Sequence, residues 1–392
     1  MIDARLATPS RDGGSRAVVD LIDALADLGN EVHYFYDSES ETVGDPWRPE
    51  NLVPGSGGGT EGLGSWLAEF GDDLDVAVSV RPIMAARCEP LLAKHPRIAR
   101  LYFGMDSLEM RSHREARLKD SPMDRARILA SRALERRCWH TSDVITHPTT
   151  DEAELVSRDA EAGLSLAVPI FCFDSIRQDA MPPEGNSLVF VGGSGYEPNR
   201  DGLDWFVREI LPQVTEQIAG AELTVVGHWP PALQDQLTRS SAVAFTGVLS
   251  DAELDAVYSS ARAAIAPVRF GAGVKSKVAA ALAHGVPVVS TTVGLEGLDV
   301  SGLVDATQEP SAVGTIRADD PQDFASGVSL LLSEDAPWRD LSDRGGQFVR
   351  RVYCRDRFLN CWEQVLSHAT DQRDMRVAKA TTVIRSDDGS VG

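Results

Sequence analysis

The chain has 392 residues and a formal net charge of −21, with 43% hydrophobic and 25% charged residues. The composition is typical of a globular protein, and the length indicates two domains. Because a strongly acidic surface repels nucleic acid at long range, we expect no nucleic-acid partner.

The cysteines and the N-terminus predict the compartment. Five cysteines are scattered through the chain without a CxxC spacing, which indicates neither a zinc site nor a disulfide framework. The opening MIDARLATPS has no apolar signal segment, and no run of about 18 apolar residues predicts a membrane-spanning helix. We therefore expect a cytoplasmic protein.

Residues 1–176 alternate buried strands with amphipathic helices. Glycine closes a predicted helix over Asp20–Gly29, and the strand EVHYFY follows it. Further strands are predicted at Leu74–Val80, Arg97–Gly104, Ser142–His147 and Leu164–Ile170. This alternation predicts a Rossmann-like N-terminal domain, a parallel sheet with helices on both faces. The family resemblance described below implies that this domain lies on the acceptor side.

A polar stretch, Ser175–Ser187, contains two prolines and a glycine and predicts an interdomain linker. A second set of short apolar strands follows and predicts a second α/β domain over residues 186–355. A helix is predicted over 356–369, crossing back to the first domain. Residues 370–392 are polar and aperiodic, so we expect a disordered tail.

Two lysines stand where a glycine turn leads into a helix in the segment RFGAGVKSKVAAALAHGVPVVS. A predicted strand ends at Phe270, and the turn Gly271–Gly273 lies at its carboxyl end, where parallel sheets bind ligands. Lys275 and Lys277 add positive charge to the positive end of a helix dipole. A phosphate or diphosphate bound there would resolve this electrostatic conflict.

Two alternatives remain open for this segment. Both lysines can instead extend into water beside an ordinary helix. The turn also contains the GxG of a dinucleotide fingerprint, with Glu296 near the position of a ribose contact, although Ser276 replaces the third glycine. A Walker A loop is excluded, because its spacing is absent.

The same segment, extended to Leu298, resembles the donor site of the GT-B glycosyltransferases of family 4 (group 1). Leu188–Val214 and Val243–Val268 resemble the start and middle of that family's second domain, and Thr8–Phe35 resembles its first glycine loop and helix. The resemblance implies two Rossmann-like, doubly wound parallel-sheet domains that face a cleft.

The resemblance also implies an activity. Such enzymes transfer a sugar from a nucleotide diphosphate sugar to an acceptor hydroxyl with retention of configuration. They need no metal or other cofactor. The partners expected are therefore a nucleotide-sugar donor and a glycan, lipid-linked or small-molecule acceptor.

Site residues follow from the matched positions. Lys275 and Lys277 match the cationic contact to the diphosphate, Lys275 in a catalytic role, while Gly271 and Gly273 permit close backbone approach. The first-domain glycines, Gly13 and Gly14, match the loop that faces the donor phosphates; the alternative is an ordinary turn before a helix.

Two glutamates of the family are replaced here by Ala272 and Ala280. The resemblance assigns those glutamates to the sugar and the ribose, so an alternative is a degenerate subunit that binds a nucleotide sugar, glycan or partner protein without turnover. A sugar-nucleotide epimerase is a third alternative. Glu296 is the candidate replacement carboxylate for donor binding, or else it caps the following turn.

Asp106 follows the predicted strand Arg97–Gly104 at its carboxyl end. Relatives often carry a histidine where this chain has Met105, so we expect Asp106 to touch the sugar or acceptor as a catalytic residue; the alternative is a helix N-cap. Asp73–Asp75 matches a metal-binding DxD, but it precedes its strand and lies away from the cleft. No metal site is predicted.

Residues 111–137 contain nine Lys or Arg against four Asp or Glu, a local charge of +5. This segment predicts contact with an anionic acceptor or peripheral contact with an anionic membrane. The alternative is a solvated helical face with its own ion pairs.

Overall fold

A computed structural model describes residues 1–8, 13–38, 50–119, 124–238, 242–298 and 313–387. This part of the chain forms two parallel sheets with helices packed on both faces. The fold class predicted from the sequence is therefore confirmed. None of the described helices is long and apolar enough to cross a bilayer.

The first sheet has seven strands in the order β3-β2-β1-β4-β5-β6-β7, and all of its described pairings are parallel. The strands are β1 (Ile2–Arg5), β2 (His33–Ser38), β3 (Asn51–Leu52), β4 (Val76–Val80), β5 (Ala99–Phe103), β6 (Val144–His147) and β7 (Leu164–Ala167). Its helices are α1 (Gly13–Asp27), α2 (Thr60–Phe70), α3 (Pro82–Leu92), α4 (Leu108–Lys119), α5 (Asp124–Thr141) and α6 (Thr150–Ser157). Apolar side chains on the central strands β4 and β5 are buried, as parallel sheets covered on both faces require.

The second sheet has six parallel strands in the order β10-β9-β8-β11-β12-β13. They are β8 (Ser187–Val191), β9 (Glu222–Val226), β10 (Val243–Gly247), β11 (Ala263–Ala266), β12 (Val288–Ser290) and β13 (Thr315–Arg317). The helices are α7 (Glu197–Trp205), α8 (Leu211–Gln217), α9 (Pro231–Leu237), α10 (Asp251–Ser260), α11 (Ser276–Ala283), α12 (Pro321–Ser333) and α13 (Asp335–Val352). A π-helical turn joins α7 to α8.

The last helix, α14 (Arg355–Asp387), packs on the first domain. Phe358 and Trp362 are fully buried, and the Trp362 ring lies 5.4 Å from that of Phe103. The predicted disorder from residue 370 was wrong as far as Asp387. The cause is a tertiary contact, because Arg376 binds the Asp143 carboxylate at 2.6 Å. Residues 388–392 lie outside the described part.

Each sheet reverses its strand order at one pair of strands. The pair is β1 and β4 in the first sheet and β8 and β11 in the second. The crevice outside the carboxyl ends of such a pair is where open α/β sheets bind ligands. The loops at these two crevices meet between the domains, and that meeting point positions the site.

Candidate active site between the domains

The glycine turn Gly271–Gly273 follows β11 at the reversal point of the second sheet and leads into α11. Gly273 has φ +70°, and a Cβ added there would lie 2.7 Å from the Met105 carbonyl oxygen. It would also lie 3.0 Å from the Asp106 Cβ. The turn therefore needs glycine to approach the first domain so closely.

Lys275 and Lys277 are held by neutral groups. Lys275 is 6% exposed, and its Nζ donates to the carbonyl oxygens of Ala272 and Gly273 at 3.2 and 2.5 Å. The Lys277 Nζ donates to Asn199 Oδ1 at 2.5 Å and lies 4.3 Å from the centre of the Phe190 ring. Both side chains turn inward, so the alternative that they extend into water was wrong.

Neither ammonium has a carboxylate within 4 Å among the described residues. Burial lowers the pKa of Lys275, and burial together with the Lys275 charge lowers the pKa of Lys277 to about 7. More distant carboxylates, those of Glu296, Glu152 and Asp106, partly offset the effect of burial at Lys275. A buried cation with no counter-charge in direct contact is costly. A bound anion would supply that counter-charge.

The start of α1 faces the start of α11 across the cleft. A Cβ added at Gly13 would lie 2.5 Å from Ser276 Oγ. Gly14 follows Gly13 in the first turn of α1. Two helix N-termini, each with a partial positive charge, therefore meet where the two lysines lie. The preceding loop, residues 9–12, lies outside the described part.

Asp106 lies in the turn between β5 and α4, and Arg111 donates to its carboxylate at 2.5 Å. The N-cap alternative was wrong, because other residues cap α4. Ser107 Oγ accepts from the Met110 N–H at 3.3 Å. Asp106 therefore keeps its carboxylate at the cleft, beside Gly273.

Two buried carboxylates hold this turn, and sequence analysis missed both. Glu135, on α5, accepts the N–H groups of Leu108 and Glu109 at 2.7 and 2.9 Å. Glu152, on α6, accepts the Ser107 N–H at 2.8 Å. Burial raises the pKa of each carboxyl to about 7. Thr149 and Glu152 form a capping-box pattern, which signals the start of α6 but not this tertiary contact.

Glu296 lies in the turn after β12 and forms a two-pronged ion pair with Arg114 of the first domain. One bond joins Arg114 Nη2 to Glu296 Oε1 at 2.5 Å. Arg114 Nη1 also donates to the Gly271 carbonyl oxygen at 2.7 Å. Arg114 thus links Glu296 to the glycine turn. The sequence analysis considered this arginine only as part of the basic segment 111–137.

The two positions of the missing glutamates lie in the glycine turn and on the helix that follows it. Ala272 is buried in the glycine turn, and Ala280 lies on α11, where its carbonyl oxygen accepts the His284 N–H. Neither side chain can accept a hydrogen bond. Among the described residues, no group of three or more His, Cys, Asp or Glu side chains is arranged to hold a metal ion.

Many arginines of the basic segment 111–137 are paired with carboxylates. Outside the cleft, the pairs are Arg127–Glu115, Arg132–Glu109, Arg136–Asp159 and Arg137–Glu89. Residues 120–123, between α4 and α5, lie outside the described part. The alternative of a face with its own ion pairs therefore accounts for much of the segment's charge.

Residues 185–334, which contain the lysine site, match the family model of Glycosyl transferases group 1. A curated relative, an uncharacterized 44.6 kDa protein in the cps region of Klebsiella pneumoniae, is 27% identical over 161 residues. This match covers 40% of the chain and 40% of the relative. The chain therefore spans well under half of that relative's length in the match.

Solved structures resemble the chain over both domains. Sucrose-phosphate synthase from Thermosynechococcus elongatus has a TM-score of 0.72 at 16% identity, over 93% of this chain and 97% of that chain. Anabaena HepE, solved in complex with UDP and glucose, has a TM-score of 0.66 at 12% identity, over 93% and 98%. The chain thus has the GT-B fold of these glycosyltransferases, and its second domain matches the group 1 glycosyl transferases in sequence.

Proposed function

We propose that this chain is a retaining glycosyltransferase that moves a sugar from a nucleotide diphosphate sugar to an acceptor hydroxyl. The observation that carries the proposal is the pair of buried ammonium groups, Lys275 and Lys277, without a carboxylate within 4 Å among the described residues. They lie at a helix N-terminus in a GT-B cleft. The HepE structure, which shares the fold, contains UDP and glucose.

The proposed chemistry places the diphosphate between α11 and the start of α1. Negative charge grows on the diphosphate as its bond to the sugar breaks, and Lys275 and Lys277 stabilise that charge. Backbone N–H groups near Gly13, Gly14 and Gly273 add hydrogen bonds. Asp106, across the glycine turn, contacts the sugar or the acceptor. No metal or other cofactor is part of this proposal.

The cleft is closed in this structure, so the proposal requires the domains to part. The contact between Gly13 and Ser276 leaves no space for a phosphate between the two helix N-termini. The donor therefore enters an open form. Closure then brings Asp106 to the glycine turn, while the bound diphosphate keeps the N-termini of α1 and α11 further apart than they are here.

All five cysteines are free thiols, in keeping with the cytoplasmic location that we propose.

A non-catalytic subunit is the second candidate function. The observation in its favour is that Ala272 and Ala280 offer no carboxylate to the sugar or the ribose. Such a subunit would bind a nucleotide sugar, glycan or partner protein without turnover. Binding and turnover must therefore be measured separately.

A thermal-shift screen with UDP-, GDP-, dTDP- and ADP-sugars tests the binding step, because a ligand that binds only the folded chain raises its stability by RT ln(1 + [L]/Kd). We expect one nucleotide class to raise the Tm of the parent but not that of Lys275→Met/Lys277→Met. Exposed Lys94→Met is the matched control. If no nucleotide sugar shifts the parent, the proposed function is wrong.

Release of free sugar from the bound donor in water then separates the two candidates. Turnover by the parent supports the enzyme, and analysis of the sugar product also detects epimerisation. Binding without any turnover supports the subunit.

A further inference from the structure

A separate cavity of about 340 Å³ lies between the domains, at the carboxyl ends of β6, β12 and β13. Its volume falls in the range of small-molecule sites, roughly 300–1,000 Å³. The carboxyl ends of parallel strands are the edge where α/β sheets bind ligands. No sequence motif pointed to this cavity.

The ion pair between Arg114 and Glu296 joins the cavity to the proposed donor turn. Both side chains line the cavity. On its other side, Arg114 donates to the Gly271 carbonyl oxygen at 2.7 Å. A molecule in the cavity would thus lie one side chain away from the turn that, as proposed, helps to bind the donor.

The cavity depends on domain closure. Thr149, from the first domain, packs on Gly297 of the second, where an added Cβ would lie 2.3 Å from Thr149 Cγ2. Gly297 has φ +74°. Both residues line the cavity, so its walls assemble only when the domains meet.

The described part of the lining carries no net charge but many polar groups. Its charged side chains are Arg114, Arg317, Asp151 and Glu296. Asp151 and Arg317 are exposed, and neither forms an ion pair with another described residue. Threonine hydroxyls and aliphatic carbons, such as those of the partly exposed Leu295, complete the wall. Such a surface suits a ligand with hydroxyl edges and C–H faces and no charge of its own.

We infer that this cavity binds the acceptor, and that the acceptor presents an uncharged sugar ring there. This inference rests on the proposed function. Asp151 accepts from the ring hydroxyls, Arg317 donates to them, and Leu295 contacts a C–H face. The acceptor binds after donor-driven closure, because open domains do not form the cavity.

Saturation-transfer NMR with methyl glycosides of common mono- and disaccharides tests the inference on the full chain with its nucleotide ligand bound. We expect at least one glycoside to bind the parent. Its affinity for Asp151→Ala/Arg317→Ala should be at least fivefold lower. The matched control, Asp340→Ala/Arg344→Ala, removes one carboxylate and one guanidinium from α13, and we expect it to bind like the parent.

The nucleotide-sugar Tm shift of Asp151→Ala/Arg317→Ala should equal that of the parent, which also shows that the variant folds. If nucleotide sugars bind but no glycoside does, or if the double variant binds the glycoside like the parent, the cavity inference is wrong while the donor site stands. If no nucleotide sugar binds at all, the proposed function itself fails.

Discussion

The Lys277 ammonium lies against an amide oxygen and an aromatic ring. Burial and the neighbouring Lys275 charge outweigh these two favourable contacts and lower the pKa of Lys277 to about 7. A diphosphate beside it would favour the ammonium again. Binding of the proposed donor is therefore coupled to protonation of this side chain.

This coupling predicts the pH dependence of nucleotide-sugar binding. Above pH 7 the free protein must take up a proton at Lys277 when the donor binds, so the affinity should fall by up to about tenfold per pH unit. Calorimetric titrations in buffers of different ionisation enthalpy measure the proton uptake. Lys277→Met should bind more weakly and without that uptake, and equal affinity at pH 6 and pH 8.5 in the parent would refute the coupling.

Glu135 stabilises the turn that carries Asp106. Burial raises its pKa to about 7, so the stability that it contributes is fully present below its unfolded pKa, near 4.5, and is lost as the pH rises through 7. We expect Glu135→Ala to cost about 3 kcal/mol of unfolding free energy near pH 5, because two amide donors lose their acceptor. The cost should be smaller near pH 8.

Urea denaturation of the parent and Glu135→Ala at both pH values measures this difference. Exposed Glu216→Ala is the control and should change stability by less than about 0.5 kcal/mol. A cost that grows with pH would show that Glu135 acts in its ionised form instead.

The backbone of the glycine turn packs directly against the first domain. Gly273 and Gly29 share a left-handed backbone, with φ +70° and +81°. Only Gly273 is crowded, because a Cβ at Gly29 would meet no atom within 4 Å. The two glycines therefore separate the cost of the backbone conformation from the cost of the domain contact.

We expect Gly273→Ala to weaken nucleotide-sugar binding at least tenfold, because its Cβ would strike the Met105 carbonyl. Gly29→Ala should lose stability by about 1 kcal/mol but bind normally. Calorimetry on both variants measures the effect. Equal binding by the two variants would mean that contact between the turn and the first domain is not needed.

The strands of this architecture could be predicted from the sequence, because buried parallel strands are short apolar runs. Predicted and observed strand bounds differ by only a few residues: Leu74–Val80 was expected and Val76–Val80 is observed. The length of α14 could not be predicted, because its polar end is held by Arg376 on Asp143, far away in the sequence.

The candidate site could be predicted only where its residues lie close together in the sequence. Lys275 and Lys277 stand out because they follow a glycine turn at a helix start. Arg114, Glu135 and Glu152 act through partners on other elements, and no spacing in the sequence reveals such contacts.

At the scale of the whole molecule, the account requires the two domains to open for the donor. A Cβ at position 13 would lie 3.4 Å from the Ser276 Cβ, close to the separation of about 3.5–4.5 Å in a disulfide. Gly13→Cys/Ser276→Cys should thus oxidise to a disulfide that locks the closed form. We expect the oxidised variant to bind no nucleotide sugar and the reduced variant to bind it.

Titration of the double variant with and without reductant measures this switch, and Gly13→Cys alone under the same oxidant controls for the five natural cysteines. If the oxidised double variant binds as well as its reduced form, the diphosphate does not lie between α1 and α11.

The most direct measurement is a calorimetric titration, near pH 6.5, of the nucleotide sugar identified by the screen into the parent and into Lys275→Met/Lys277→Met. Each charge-assisted hydrogen bond to a phosphate contributes about 1.5–3 kcal/mol. The account therefore predicts at least about a hundredfold weaker binding by the double variant. Parent-like affinity in the folded double variant would contradict the account.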